Sequence, residues 1–127
     1  PTDAPGLSAG SCAADALGLS KELLNGREPL RLLRDEEPPP TCVAGSYVYL
    51  LECGETGGFY VGETDSLARR WNQHRGARRA AAMYAWKVAG GKSATRRLEA
   101  TLIARLAESG VPMLSTSDAS HFGFGDA

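Results

Sequence analysis

Long apolar runs, strong net charge and paired cysteines are all missing from this 127-residue chain. No apolar stretch approaches the ~20 residues of a membrane-spanning helix, so no membrane partner is expected. The formal net charge is −1, so total charge does not point to a nucleic-acid partner. Three cysteines, Cys12, Cys42 and Cys53, make an odd count without CxxC spacing. That fits neither a disulfide framework nor a zinc site, and a reducing intracellular compartment is expected. Internal repeats are absent. Gly91-Lys92-Ser93 looks like the end of a phosphate-binding loop, but that motif needs a glycine five residues before Gly91, where Trp86 stands.

What is present is a hydrophobic content of 43%, enough for one compact domain with a modest core and some extra chain. The charge is unevenly spread. Residues 1–45 hold four Lys and Arg against seven Asp and Glu, whereas residues 46–127 hold ten against eight. Five arginines, Arg69, Arg70, Arg75, Arg78 and Arg79, crowd into eleven positions. Such a local basic patch is a footprint that phosphate binding can use.

The first 13 residues mix Pro, Gly, Ser and Ala and are expected to be mobile. Asp15 to Leu24 is expected to form a short helix stopped by Asn25-Gly26. Leu30, Leu32 and Leu33 form a second short apolar piece. Acidic residues and three prolines from Asp35 to Pro40 favour an extended linker. The expected division is therefore an N-terminal segment, 1–41, flexible or partly helical, and a folded domain, 42–127. Within the latter, Tyr47 to Cys53 is rich in β-branched, aromatic and aliphatic residues and is expected to be a strand. Gly54 to Gly58 supplies a turn, and Phe59 to Val61 pairs back as a second strand. Thr64, Asp65 and Ser66 favour a helix start, with Leu67 and Trp71 on its inward face. The alanines up to Ala82 are expected to prolong that helix or add another. Met83 to Val88 reads as a third strand. Ser93 is expected to cap a last helix running to Glu108, stopped by Ser109-Gly110 and Pro112.

The candidate site lies along the hairpin and the helix after it. Tyr47 and Tyr49 share one strand face, and the turn brings Tyr60 back beside them. Strand tyrosines are usually packing residues, and taken alone these would be read so. A phenol that ionises at about 10 needs a neighbouring cation to act as a base near neutrality. Arg70 and His74 stand at i and i+4 on one helical face. They are either a solvated basic face or a pair reaching toward the tyrosines. Arg69, Arg75, Arg78 and Arg79 are assigned to the solvated face or to contact with a DNA backbone. Glu99 falls at about 100° on a wheel where Leu98, Leu102, Leu106 and Ile103 span about 0° to 140°. A carboxylate inside an apolar stripe is paired or holds a cation. The two readings are a buried pair with an arginine such as Arg96, and a ligand for Mg2+ or Mn2+.

With these residues in view, the chain resembles the GIY-YIG nucleases over roughly residues 45–125. Tyr47-Val48-Tyr49 stands where that family has GIY, and Tyr60-Val61-Gly62 where it has YIG. The spacing to Arg70, His74 and Glu99 is also similar. More narrowly, the PPPT run, FYVGETDSL and the Gly-Lys-Ser followed by Leu-Glu resemble the C-terminal domain of plant-type organellar MutS homologues. The resemblance implies an α/β (α+β) fold, a small three-stranded antiparallel sheet flanked by helices. It implies a divalent-metal-dependent endonuclease acting on DNA, branched or mismatched, in organellar DNA repair. Glu99 would bind Mg2+ or Mn2+, Tyr49 would assist proton removal from water, Tyr60 and His74 would hydrogen-bond around the scissile phosphate, and Arg70 would stabilise its charge. The chain, which begins at Pro1, would be a fragment preceded by a MutS-like ATPase core, in a mitochondrion or plastid. The region after the last helix reads Leu114-Ser115-Thr116-Ser117-Asp118, without the asparagine many members carry there. The rival readings are a non-catalytic DNA-binding module of the same fold and a structural domain docked on its own ATPase core.

Overall fold

The computed structural model describes residues 9–39, 45–53, 58–77 and 80–114. Helix α1, Ala9–Leu23, opens the described chain. It begins six residues before the expected start at Asp15, and it stops where Asn25 and Gly26 take left-handed backbone angles. The Gly26 amide closes the helix on the Lys21 carbonyl at 2.7 Å. Strand β1, Leu30–Leu33, follows, then β2, Ser46–Cys53, and β3, Gly58–Thr64. Helix α2, Leu67–Ala77, strand β4, Ala82–Val88, and helix α3, Gly91–Glu108, complete the order.

The sheet has four strands rather than the expected three, in the order β1-β4-β2-β3, all pairs antiparallel. The additional strand is the Leu30 to Leu33 piece, whose Leu32 pairs with Met83. Only four residues long, with Leu32 alone fully buried, it carries too little alternation to read as a strand. Its partner lies some 50 residues on, so no hairpin signal accompanies it. The paired tyrosine strands β2 and β3 form as expected, with Tyr49 opposite Gly62 and Leu51 opposite Tyr60. The start of β3 is also covered. The Phe59 amide donates to the Pro112 carbonyl (2.8 Å) and the Leu114 amide to the Phe59 carbonyl (2.6 Å).

Period-2 alternation sends the β2 and β3 side chains to two cores. Val48, Leu50, Phe59 and Val61 pack with Ala16 and Leu24 and with Leu102, Ile103 and Leu106 of α3. Tyr47, Tyr49 and Leu51 pack with Leu67 and Trp71 of α2 on the other face. Each large apolar side chain so enclosed contributes roughly 1.5–3 kcal/mol. Trp86 satisfies its indole on the Arg27 carbonyl (3.0 Å), and Trp71 on the Glu36 carbonyl (2.9 Å).

Two helix boundaries depart from expectation, the end of α2 and the start of α3. At α2 the Thr64 hydroxyl accepts from the Ser66 amide (2.9 Å), a short-range cap consistent with the Thr-Asp-Ser signal. The alanine run does not prolong α2 to Ala82, because Ala82 opens β4 and pairs with Leu33 and Glu52. Helix α3 is not capped by Ser93. It starts at Gly91 behind Gly90, both at positive φ, so the two glycines turn β4 directly into the helix.

Candidate active site

The β2–β3 register and the pitch of α2 bring four side chains together. Tyr49 has 0% of its surface exposed and His74 6%. The Tyr49 hydroxyl lies 2.8 Å from His74 Nε2. The Tyr60 ring stands 5.1 Å from the His74 ring and 6.3 Å from the Tyr49 ring, centroid to centroid. Arg70 lies one helical turn before His74, and its positive charge acts on the Tyr49 phenol.

Gly62 makes this packing possible. A Cβ there would lie 2.6 Å from Tyr49 Cζ, so the tyrosine ring occupies the space a side chain would fill. The phenol is held neutral. Burial pushes its pKa well above the usual tyrosine range, with Tyr60 and Glu99 adding to the effect and Arg70 opposing it. Tyr60, by contrast, is half-buried and keeps a route to the surface.

Glu99 projects from α3, on the other face of the sheet, yet its charge acts on Tyr49 and Arg70 acts on it in turn. It sits half-buried beside the buried Leu102, Ile103 and Leu106, on the apolar side of the helix where the wheel puts it. Desolvation first, and then the nearby Glu63 carboxylate, push its pKa up to about 7. Arg96, Lys92 and Arg70 act the other way. Arg96 is not committed to Glu99: its Nε is 3.8 Å from Glu63 Oε2.

Neither Glu63 nor Lys92 is among the candidate site residues of the sequence. Lys92 Nζ lies 2.7 Å from Glu63 Oε1 and 3.7 Å from Asp65 Oδ2. Asp65 Oδ1 in turn accepts from the Ser46 hydroxyl (2.8 Å). Glu63 Oε1 is buried and accepts no aligned hydrogen bond, so its contact with Lys92 is one of charge without direction. Strand alternation contains the missed signal. Phe59, Val61 and Glu63 are two apart, so a strand that buries the first two against α3 turns Glu63 toward it too.

The basic residues divide. Arg69 is exposed on α2. Arg75 is engaged elsewhere: its Nη1 donates to the Arg34 and Glu36 carbonyls (both 3.1 Å), its Nη2 pairs with Glu37, and its guanidinium lies over the Trp71 ring. Arg78, Arg79 and Ser115 to Asp118 lie outside the described residues. Among the described residues, no three His, Cys, Asp or Glu side chains gather into one metal-binding group, and no helix is long and apolar enough to cross a membrane.

Residues 45–105 match the GIY-YIG catalytic domain. The chain is 33% identical over 91 residues to the mitochondrial DNA mismatch repair protein MSH1 of Arabidopsis thaliana, an alignment covering 71% of this chain. It spans only 8% of the length of that relative. No solved structure matches. The matched stretch contains the tyrosine strands, α2 and the part of α3 that carries Glu99, and over residues 45–105 the chain is similar to the GIY-YIG catalytic domain.

Proposed function

We propose that the domain is an endonuclease that hydrolyses DNA phosphodiester bonds with a divalent cation, Mg2+ or Mn2+, held at Glu99. The observation that carries this reading is the meeting of Tyr49, Tyr60, Arg70 and His74 on one face, with Glu99 in electrostatic reach. The residues suit such a cation. Glu99 is half-buried beside a second carboxylate, and a buried Glu63 oxygen goes without an aligned hydrogen bond. Two neighbouring carboxylates offer the hard oxygen donors that suit a hard divalent ion, which often takes only one or two carboxylates and completes its shell with water and phosphate. Bound there, the cation would supply activation of water and neutralisation of charge on the phosphoryl oxygens.

The protein groups then have distinct tasks. Arg70, whose charge also acts on Tyr49, faces the phosphoryl oxygens as their charge grows. Tyr49, closed off from solvent, acts through the hydrogen bond by which it orients His74. Tyr60 is the outer phenol, hydrogen-bonding the water and the scissile phosphate. The proton removed from water comes to rest on the tyrosine–histidine cluster, where imidazole is the side chain suited to hold it near neutrality. Arg69, Arg78 and Arg79 contribute contacts to the DNA backbone, while Arg75 serves the fold first.

The domain is further proposed to serve a MutS-like chain in mitochondrial or plastid DNA repair, in keeping with the relative's name. A binding module without catalysis is the second reading, favoured by the asparagine missing between Leu114 and Asp118. Branched and duplex DNAs incubated with the chain in Mg2+ or Mn2+ separate the two. Cutting that Arg70→Ala abolishes, with DNA binding retained, supports the enzyme. Binding without cutting in either metal supports the module.

A further inference from the structure

The Glu63–Lys92 pair has no part in the roles assigned so far, and its placement gives it one. Glu63 lies on β3, one residue past Gly62, and turns to the α3 side of the sheet. There it faces the first three turns of α3: Lys92 Nζ at 2.7 Å, Arg96 Nε at 3.8 Å, and Glu99, three residues beyond Arg96 on the helix, whose carboxyl the Glu63 charge opposes. Its side chain is only 14% exposed, and Oε1 has no aligned donor. The Lys92 side chain is 41% exposed and has a second anion, Asp65, at 3.7 Å. A flexible ammonium with another partner at hand is a replaceable counter-ion, whereas the carboxylate it serves is held in a strand.

Resting on the reading of Glu99 as a cation ligand, we propose that Glu63 is the second anionic group of that cation site, and that Lys92 is its built-in counter-ion, with which a divalent cation competes. Glu63 and Glu99 together present the two-carboxylate arrangement that Mg2+ and Mn2+ favour. Lys92 keeps the pair from standing unneutralised when no divalent ion is bound, and it moves toward Asp65 when one is.

The test is Mn2+ binding to the whole 127-residue chain without DNA, followed by electron paramagnetic resonance of the free ion. The expected result is that Glu63→Gln weakens Mn2+ affinity by about tenfold or more, because a charge beside the ion is lost. Glu63→Asp recovers part of the affinity. Lys92→Met tightens binding by about threefold or more, because a competing cation is removed. A purely structural bridge behaves differently: Glu63→Gln and Lys92→Met break the same pair and shift affinity in the same direction. That result, or wild-type affinity in Glu63→Gln, overturns the proposal. Glu99→Gln serves as the control. If it binds Mn2+ as the wild type does, the assignment of Glu99 fails first; if it loses binding while Glu63→Gln does not, only Glu63 is wrongly placed. Thermal unfolding of each variant without Mn2+ shows that the fold survives.

Discussion

Gly62 shows how one atom group governs the site. The Tyr49 ring lies where its Cβ would be, and the Tyr49 hydroxyl orients His74. Gly62→Ala is expected to destabilise the fold by about 1–3 kcal/mol, the usual penalty for overpacking. DNA cutting should fall further than that loss explains, because the phenol must move. Denaturant titration beside a cutting assay checks this; wild-type values in both would contradict it. Glu99 gives a pH-dependent expectation. Its pKa rises from 4.5 to about 7 on folding, so the folded state keeps a proton that the unfolded state releases between those values. The stability this carboxyl contributes is present below about 4.5 and lost as pH rises toward 7. Without divalent metal, Glu99→Gln should therefore gain stability relative to wild type as pH is raised from 5 to 8. Unfolding midpoints measured across that range decide it, and a constant difference would count against the burial described for Glu99. Cutting should rise over the same range as the carboxylate ionises to take its metal.

At the scale of elements, β1 and α2 carry the expectations. Leu32 is the one fully buried side chain of β1 and joins the Tyr49 core. Leu32→Ala is expected to cost about 2–5 kcal/mol, measurable by chemical denaturation. A loss near zero would mean that β1 is not needed by the sheet. Helix α2 divides its arginines by task. Arg69→Ala should lower the salt dependence of DNA binding by about one phosphate contact and leave stability unchanged. Arg75→Ala should instead destabilise the fold by about 1–3 kcal/mol, because it removes the donors that hold residues 34–37 against Trp71. Salt-dependent binding and thermal unfolding of both variants distinguish these outcomes. The reverse pattern would return Arg75 to the DNA face.

Over the whole molecule, local signals were readable and non-local pairings were not. The hairpin, the start of α2 and the place of Glu99 on α3 follow from spacing and period alone, since each depends on neighbours a few residues apart. The fourth strand depends on Leu32 meeting Met83 across the sheet, and four residues with one buried side chain do not announce that partner. The engagement of Arg75 and the Glu63–Lys92 pair are hidden for the same reason: each joins segments about 30 to 40 residues apart. Tyr49 shows a subtler limit. Its place was legible from the motif, but its closure from solvent appears only once Gly62 and Trp71 are packed around it.

The central claim is that the tyrosine–arginine–histidine cluster and Glu99 form one metal-dependent phosphodiesterase site. Its most direct test is plasmid nicking in Mn2+ by the wild-type chain and by Glu99→Ala, with folding checked by circular dichroism and DNA binding by gel shift. The account expects the wild type to nick the plasmid, and the variant to stay folded and bind DNA but leave it uncut. Nicking by Glu99→Ala at the wild-type rate, or DNA bound by the wild type and never cut, would contradict it.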